Sequence, residues 1–318
     1  MRNAFLDQRT AAAIDTLIAK VLRGLGNPEP PLHLEAVRTL QKLDKQFYSS
    51  TDDSAVREFV SRVKVGGKLL IEKPSRILDV IKKFDLKALY VPDYSRILLD
   101  KSQPEAKWRW YEAHEIIHSV VPHHQSLMHG DDLYSLNPTC HEKLEDEANY
   151  GAGRLLFLQE RFEEFVHSST VNFALVKEAK RVFKNSMTSS LWRTVEALEF
   201  PAFGMVSGHP QRAKASAGSE PYKYFLRSRK AMEQFSGITP AAVFASIKTY
   251  CSWSTKGPLG ESEVRLADDN GNDHDFLFET FHNGYEALTL ATYRKASTTM
   301  IAQVGSAAVS LVSASRKG

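Results

Sequence analysis

Cysteine is nearly absent from this chain. Cys140 and Cys251 are the only two in 318 residues, far apart and without the paired spacing of a metal knuckle. That count excludes a disulfide framework and suits a reducing compartment. Long apolar runs are missing too: nothing approaches the roughly 18 consecutive apolar residues of a membrane span. Asp7 and Arg9 interrupt the amino-terminal stretch where a signal peptide needs apolar residues. The expectation is a cytoplasmic chain with no membrane partner. An excess of one charge is also lacking. Lys and Arg number 41 against 38 Asp and Glu, a net charge of +3, which makes nucleic acid an unexpected partner without ruling out a local basic patch. Neither a fixed repeat nor a long low-complexity segment is present.

What the chain does have is an ordinary globular composition, 42% hydrophobic and 25% charged, sufficient for a buried core. It also has a concentration of histidine. Six of the eleven (His114, His118, His123, His124, His129 and His141) fall in one short segment, a reason to look for a metal there.

Apolar spacing predicts helices over Ala11–Leu25, Leu34–Phe47, Glu105–Val121, Leu144–Leu158 and Val176–Leu198. Gly151 and Gly153 weaken the fourth of these by up to about 1 kcal/mol each. Two β-like runs, Ala88–Val91 and Arg96–Leu99, flank a turn-forming Pro92-Asp93-Tyr94-Ser95 and predict a hairpin. Residues 201–222, rich in Gly, Ser, Pro and Ala, read as a linker. Beyond them Glu263–Ala267, Phe276–Phe281 and Ala287–Tyr293 read as a β-meander, joined by turns at Asp269-Asn270-Gly271-Asn272 and Asn283-Gly284, with an Ala/Ser-rich tail.

Inside the third helix stands His114-Glu115-Ile116-Ile117-His118, an HExxH pattern. Residues at i and i+4 share a helix face, so one ion can touch both imidazoles. A catalytic zinc takes three protein ligands and leaves a position for water, and Glu115 is placed to act as general base. The third ligand has two candidate sources. His124 lies at the spacing of the last histidine in HExxHxxGxxH, but Val121 stands where that pattern needs a glycine to turn the chain. The other source is the helix carrying Glu145-Asp146-Glu147-Ala148-Asn149. At about 100° per residue, Glu145 and Glu147 lie about 160° apart, so only one can face the metal. Glu145 is preferred, because Asn149 one turn later can accept the spare N–H of a ligating histidine. Glu147 is the runner-up, otherwise an ordinary solvated charge. Tyr111, one turn before the ligands, reads as a packing residue more than as an oxyanion donor.

These segments together resemble the ImmA/IrrE family of zinc metallopeptidases. The likeness is carried by Arg96–Asp100, by Trp108–His118 and by Glu145–Ala152 followed by Leu155-Leu156, which follow that family's strand, HExxH helix and ExEANxFAxxLLMP helix. Pro30–Ala36, Phe183–Ser186 and Trp192-Arg193 are similar to its flanking segments. Gly151 replaces the usual Phe, and Phe157-Leu158 replaces Met-Pro. The resemblance covers about the first 200 residues. It implies a mainly helical, zincin-like peptidase domain with a small β-sheet over 1–200; with the linker over 201–222 and a smaller β-containing domain over 223–318 read from the residues themselves, the expectation is an α+β chain. It also implies a zinc (Zn2+) hydrolase that cleaves a regulatory protein such as a repressor or transcription factor. The alternative is a non-catalytic transcription regulator or protein-binding module that retains the peptidase fold.

Overall fold

The structure, a computed structural model, describes residues 3, 5–48, 88–91, 95–124, 138–212 and 220–296. Helix α1 (Gln8–Gly24) begins where the Asp7 carboxylate accepts from the Thr10 N–H, and it buries Ile14, Ile18, Val21 and Leu22 at helical spacing. Helix α2 (Leu34–Gln41) is shorter than its apolar pattern predicts. Lys42 adopts a left-handed conformation with φ of 54°, and Asp44–Tyr48 turns into strand β1. The reason is tertiary. A parallel ladder with β3 (Arg96–Asp100) gives these residues backbone partners, and Arg96 Nε donates to Asp44 Oδ2 at the paired register. Strand β2 (Ala88–Val91) pairs antiparallel with β3, as the hairpin pattern predicts, giving a three-stranded sheet in the order β1-β3-β2. Residues 92–94 of the turn between them lie outside the described residues, and Ser95 closes it with φ of 48°.

Against this sheet lies α3 (Glu105–Val120), whose Ala113, Ile116 and Ile117 are buried with Ile97 and Leu99 in one core. Helix α4 (Pro138–Leu156) crosses α3 and adds Ala148, Ala152, Leu155 and Leu156 to the same core. The crossing is close: a Cβ on Gly151 would stand 2.8 Å from Ile117 Cγ2. Helix α5 (Glu160–His167) follows. The single helix expected over Val176–Leu198 is two, α6 (Phe173–Phe183) and α7 (Met187–Ala197). The break comes at Lys184, with φ of 50°, and at Ser186, whose hydroxyl caps α7 by accepting from the Ser189 N–H.

The expected linker over 201–222 does not form as one. Ala202–Ser207 is strand β4, wholly buried, between β5 (Tyr222–Arg227) and β8 (Ala287–Ala296) in a five-stranded sheet of order β5-β4-β8-β7-β6, in which β6 is Gly257–Ala267 and β7 is Asp273–His282. Gly204 is there for packing. A Cβ on Gly204 would meet Val195 Cγ2 of α7 at 3.0 Å. The rest of the sheet is the expected meander, longer than its apolar cores: β6 (Gly257–Ala267), β7 (Asp273–His282) and β8 (Ala287–Ala296), all antiparallel. Gly271 and Gly284 take the positive φ, 83° and 102°, that their turns require. Helices α8 (Arg229–Gln234) and α9 (Pro240–Tyr250) precede the meander, and their Ala231, Val243 and Ile247 share a core with Phe203, Phe276 and Phe278 of the sheet.

The helical part and the sheet share a third layer. Phe173, Val176, Leu191 and Val195 pack on Val206, Leu226, Leu288 and Leu290. Asn3 adds a clasp, its amide donating to Arg227 O and its carbonyl accepting from Arg227 N. The architecture is therefore mixed α+β, a helical region with a small sheet followed by a β-rich region. No helix among the described residues is long and apolar enough to cross a membrane. The Ala/Ser-rich tail from 297 onward lies outside the described residues.

Candidate metal centre

Helix α3 presents His114 and His118 one turn apart, and α4 brings Glu145 over them. His114 Nε2 and His118 Nε2 stand 3.1 Å apart; Glu145 Oε2 lies 3.1 Å from His114 Nε2, and its Oε1 lies 3.6 Å from His118 Nε2. Ligand bonds of about 2.0–2.1 Å around a tetrahedral zinc give donor-to-donor edges of about 3.3 Å. The three observed separations straddle that value, so the residues present fit such an ion. His118 is buried, while the Glu145 side chain is 41% exposed, which leaves one side of the trio open to solvent.

The outward nitrogen of each imidazole is also engaged. His114 Nδ1 lies 3.2 Å from Asn149 Oδ1. An amide oxygen only accepts, so His114 donates from Nδ1; Nε2 then donates to Glu145 in the charged ring and carries the lone pair that a metal needs in the neutral one. His118 Nδ1 lies 2.9 Å from His124 Nδ1, and His124 Nε2 lies 3.0 Å from Glu147 Oε2. His123 Nε2 reaches the same Glu147 oxygen at 2.6 Å. His123, His124 and Glu147 thus form a second group with metal-ligand composition.

Burial sets the charges. Desolvation pushes the Glu115 carboxyl up to about 7; the nearby His114 opposes that rise, Glu145 adds to it, and a backbone hydrogen bond from Tyr90 opposes it. For His114, burial disfavours the charged ring, but the Glu145 hydrogen bond and the Glu115 and Glu145 charges outweigh it, and its pKa is raised. His124 goes the other way: burial lowers its pKa, and its bond to Glu147 only partly offsets this.

The structure brings together His114, His118, Glu145 and Asn149 as the helical spacing predicts, with Glu115 buried alongside. It does not place His124 among the three donors around His114; its Nδ1 backs onto His118 instead. Glu147 is not a solvated helix charge either. Its side chain is mostly buried and bonded to two histidines. The adjacent His123-His124 pair just past the HExxH helix is the signal that could have found this group. Tyr111 packs against the core, as expected. His129 and the side chain of His141 lie outside the described residues.

No protein-family model and no curated protein matches this chain. Among solved structures, a Mycobacterium tuberculosis transcriptional regulator is similar, with a TM-score of 0.50 at 12% identity, over 90% of this chain and 88% of that one. The likeness is one of fold. At that identity it carries over no residue and no activity, and the chemistry rests on the side chains just described.

Proposed function

We propose that this chain is a zinc-dependent endopeptidase of the ImmA/IrrE type that cleaves a regulatory protein, a repressor or transcription factor. The observation that carries the reading is the trio His114, His118 and Glu145 at tetrahedral spacing, open on one side, with the carboxylate of Glu115 buried next to it. A purely structural zinc closes its fourth position with protein and has no use for a neighbouring base. Zinc held by the trio supplies Lewis acidity, which activates water at neutral pH and polarises a peptide carbonyl. Glu115 takes the proton from the attacking water on its carboxylate oxygen and returns it to the leaving amine. Asn149 holds His114 in the tautomer that ligates. The exposed side of Glu145 is where an extended peptide has access.

A second reading, a regulator that keeps the fold without cleaving, draws on the similarity to the Mycobacterium tuberculosis transcriptional regulator. Glu115→Gln separates the two. The variant is expected to retain the wild-type fold and about one zinc per chain, because this carboxylate is not in the donor trio. Peptide cleavage is expected to fall by about 10²–10⁴-fold, the usual contribution of a general base. The target can be found by crosslinking proteins to the inactive variant in cells and identifying what is trapped. If wild type and Glu115→Gln act equally well in the regulated process, proteolysis is not the contribution of this chain, and the non-catalytic reading takes its place.

A further inference from the structure

His124 sits behind the candidate metal ligands and carries a hydrogen-bond sequence that ends on them. Its side chain is fully buried, with Nδ1 2.9 Å from His118 Nδ1 and Nε2 3.0 Å from Glu147 Oε2. A neutral imidazole has one N–H and one lone pair, and a carboxylate can only accept. Glu147 therefore places the hydrogen of His124 on Nε2, which leaves Nδ1 as an acceptor. Two Nδ1 atoms at this distance share one hydrogen, so His118 must supply it. With a metal taking the place of a hydrogen between the two Nε2 atoms, His118 then offers its lone pair from Nε2, the atom that faces His114 Nε2 and Glu145.

We propose that His124 and Glu147 are positioning residues that fix His118 in its metal-ready tautomer, as Asn149 does for His114. The inference rests on the metal-centre reading above and extends it beyond the three ligands. His123 shares the same carboxylate oxygen of Glu147 from the solvent side and restrains its orientation. The trio His123, His124 and Glu147 has the composition of a second metal site, but the hydrogen count decides against simultaneous filling. An ion on His124 Nε2 would drive the hydrogen to His124 Nδ1. His118 would then have to become the Nε2–H tautomer, which cannot ligate. Of these two groups, only one holds an ion at a time.

The test is zinc affinity measured by chelator competition, combined with imidazole ¹⁵N spectra of the zinc-loaded full chain. Glu147→Ala is expected to weaken zinc binding by about 10–100-fold, as loss of an outer partner of a ligating histidine typically does. Glu147→Gln, which keeps an acceptor oxygen at the same place, is expected to stay within a few-fold of wild type. The spectra are expected to show His118 protonated at Nδ1 and His124 at Nε2. A thermal melt of each variant keeps loss of fold distinct from loss of tautomer control, and the spectra need no substitution at all. Unchanged affinity in a folded Glu147→Ala, or hydrogen on His124 Nδ1, overturns the proposal while leaving the metal centre standing; hydrogen on His118 Nε2 overturns the proposal and His118 as a ligand together. A second zinc per chain that disappears in His123→Ala also overturns it. A wild type that takes up no zinc overturns both this proposal and the metal centre.

Discussion

Two carboxyl groups in this molecule are moved in opposite directions by their surroundings. Glu115 is pushed up to about 7 by burial. Asp268, in the turn between β6 and β7, is held well below the ordinary range, chiefly by the Asn272 N–H, with the Asn272 side chain, His274 and the Asn270 N–H adding to it. A carboxyl whose folded pKa is depressed contributes stability at all pH values above its unfolded pKa of about 4, and that contribution is lost as the pH falls toward the folded value. Asp268→Ala is therefore expected to lower the melting midpoint at pH 7, with the gap from wild type shrinking as the pH is taken below about 4. A gap that stays constant from pH 7 to pH 3 would show that the turn draws nothing from the charge. The same scale sets what could be read from the chain alone. His114, His118, Glu145 and Asn149 were legible because each pair lies at i and i+4 on its own helix, where spacing dictates direction. Glu147 and His124 were not, because they meet only when the chain folds back at Val121 and Pro122, and no helical wheel contains that turn.

At the scale of elements, the distance between α3 and α4 is what turns two pairs of residues into one centre. The crossing is set at Gly151, where an added Cβ would be 2.8 Å from Ile117 Cγ2 and 3.0 Å from its Cγ1. Both carbons are attached to the stiff β-branched Cβ of Ile117, so the neighbour cannot swing away at low cost. Read as sequence, Gly151 is a residue that weakens a helix; in the structure it is the contact that lets Glu145 and Asn149 reach His114. Gly151→Ala gains about 1 kcal/mol of helix propensity and loses about 1–3 kcal/mol to overpacking. The expected outcome is a melting midpoint no higher than wild type together with weaker zinc binding, since the helix that shifts carries the third ligand. A more stable variant with unchanged zinc affinity would show that the close approach plays no part in the site. Strand β1 and the split of α6 from α7 were hidden for a related reason. Residues 44–48 owe their conformation to β3, and Lys184 owes its left-handed turn to the way the two helices pack on the sheet.

At the scale of the molecule, residues 201–222 read as a linker, but Ala202–Ser207 within them forms the strand that joins the two regions. Leu288 of β8 is fully buried in the layer where Phe173, Val176, Leu191 and Val195 of α6 and α7 meet Val206 and Leu226 of the sheet. Removing either side would expose that layer to water. Residues 1–200 and 223–318 are thus expected to unfold together, with loss of helical and strand signal coinciding with zinc release. Leu288→Ala, which leaves the metal centre untouched, is expected to cost about 2–5 kcal/mol. Because the layer is shared, that cost should lower the temperature of zinc release by the same amount as it lowers the midpoint seen by circular dichroism. The comparison is made on the zinc-loaded full chain, with a chromogenic chelator reporting release. If zinc is released at the wild-type temperature while the sheet melts early, the layer does not couple the two regions, and the β-rich part is an independent module riding on the metal-binding one.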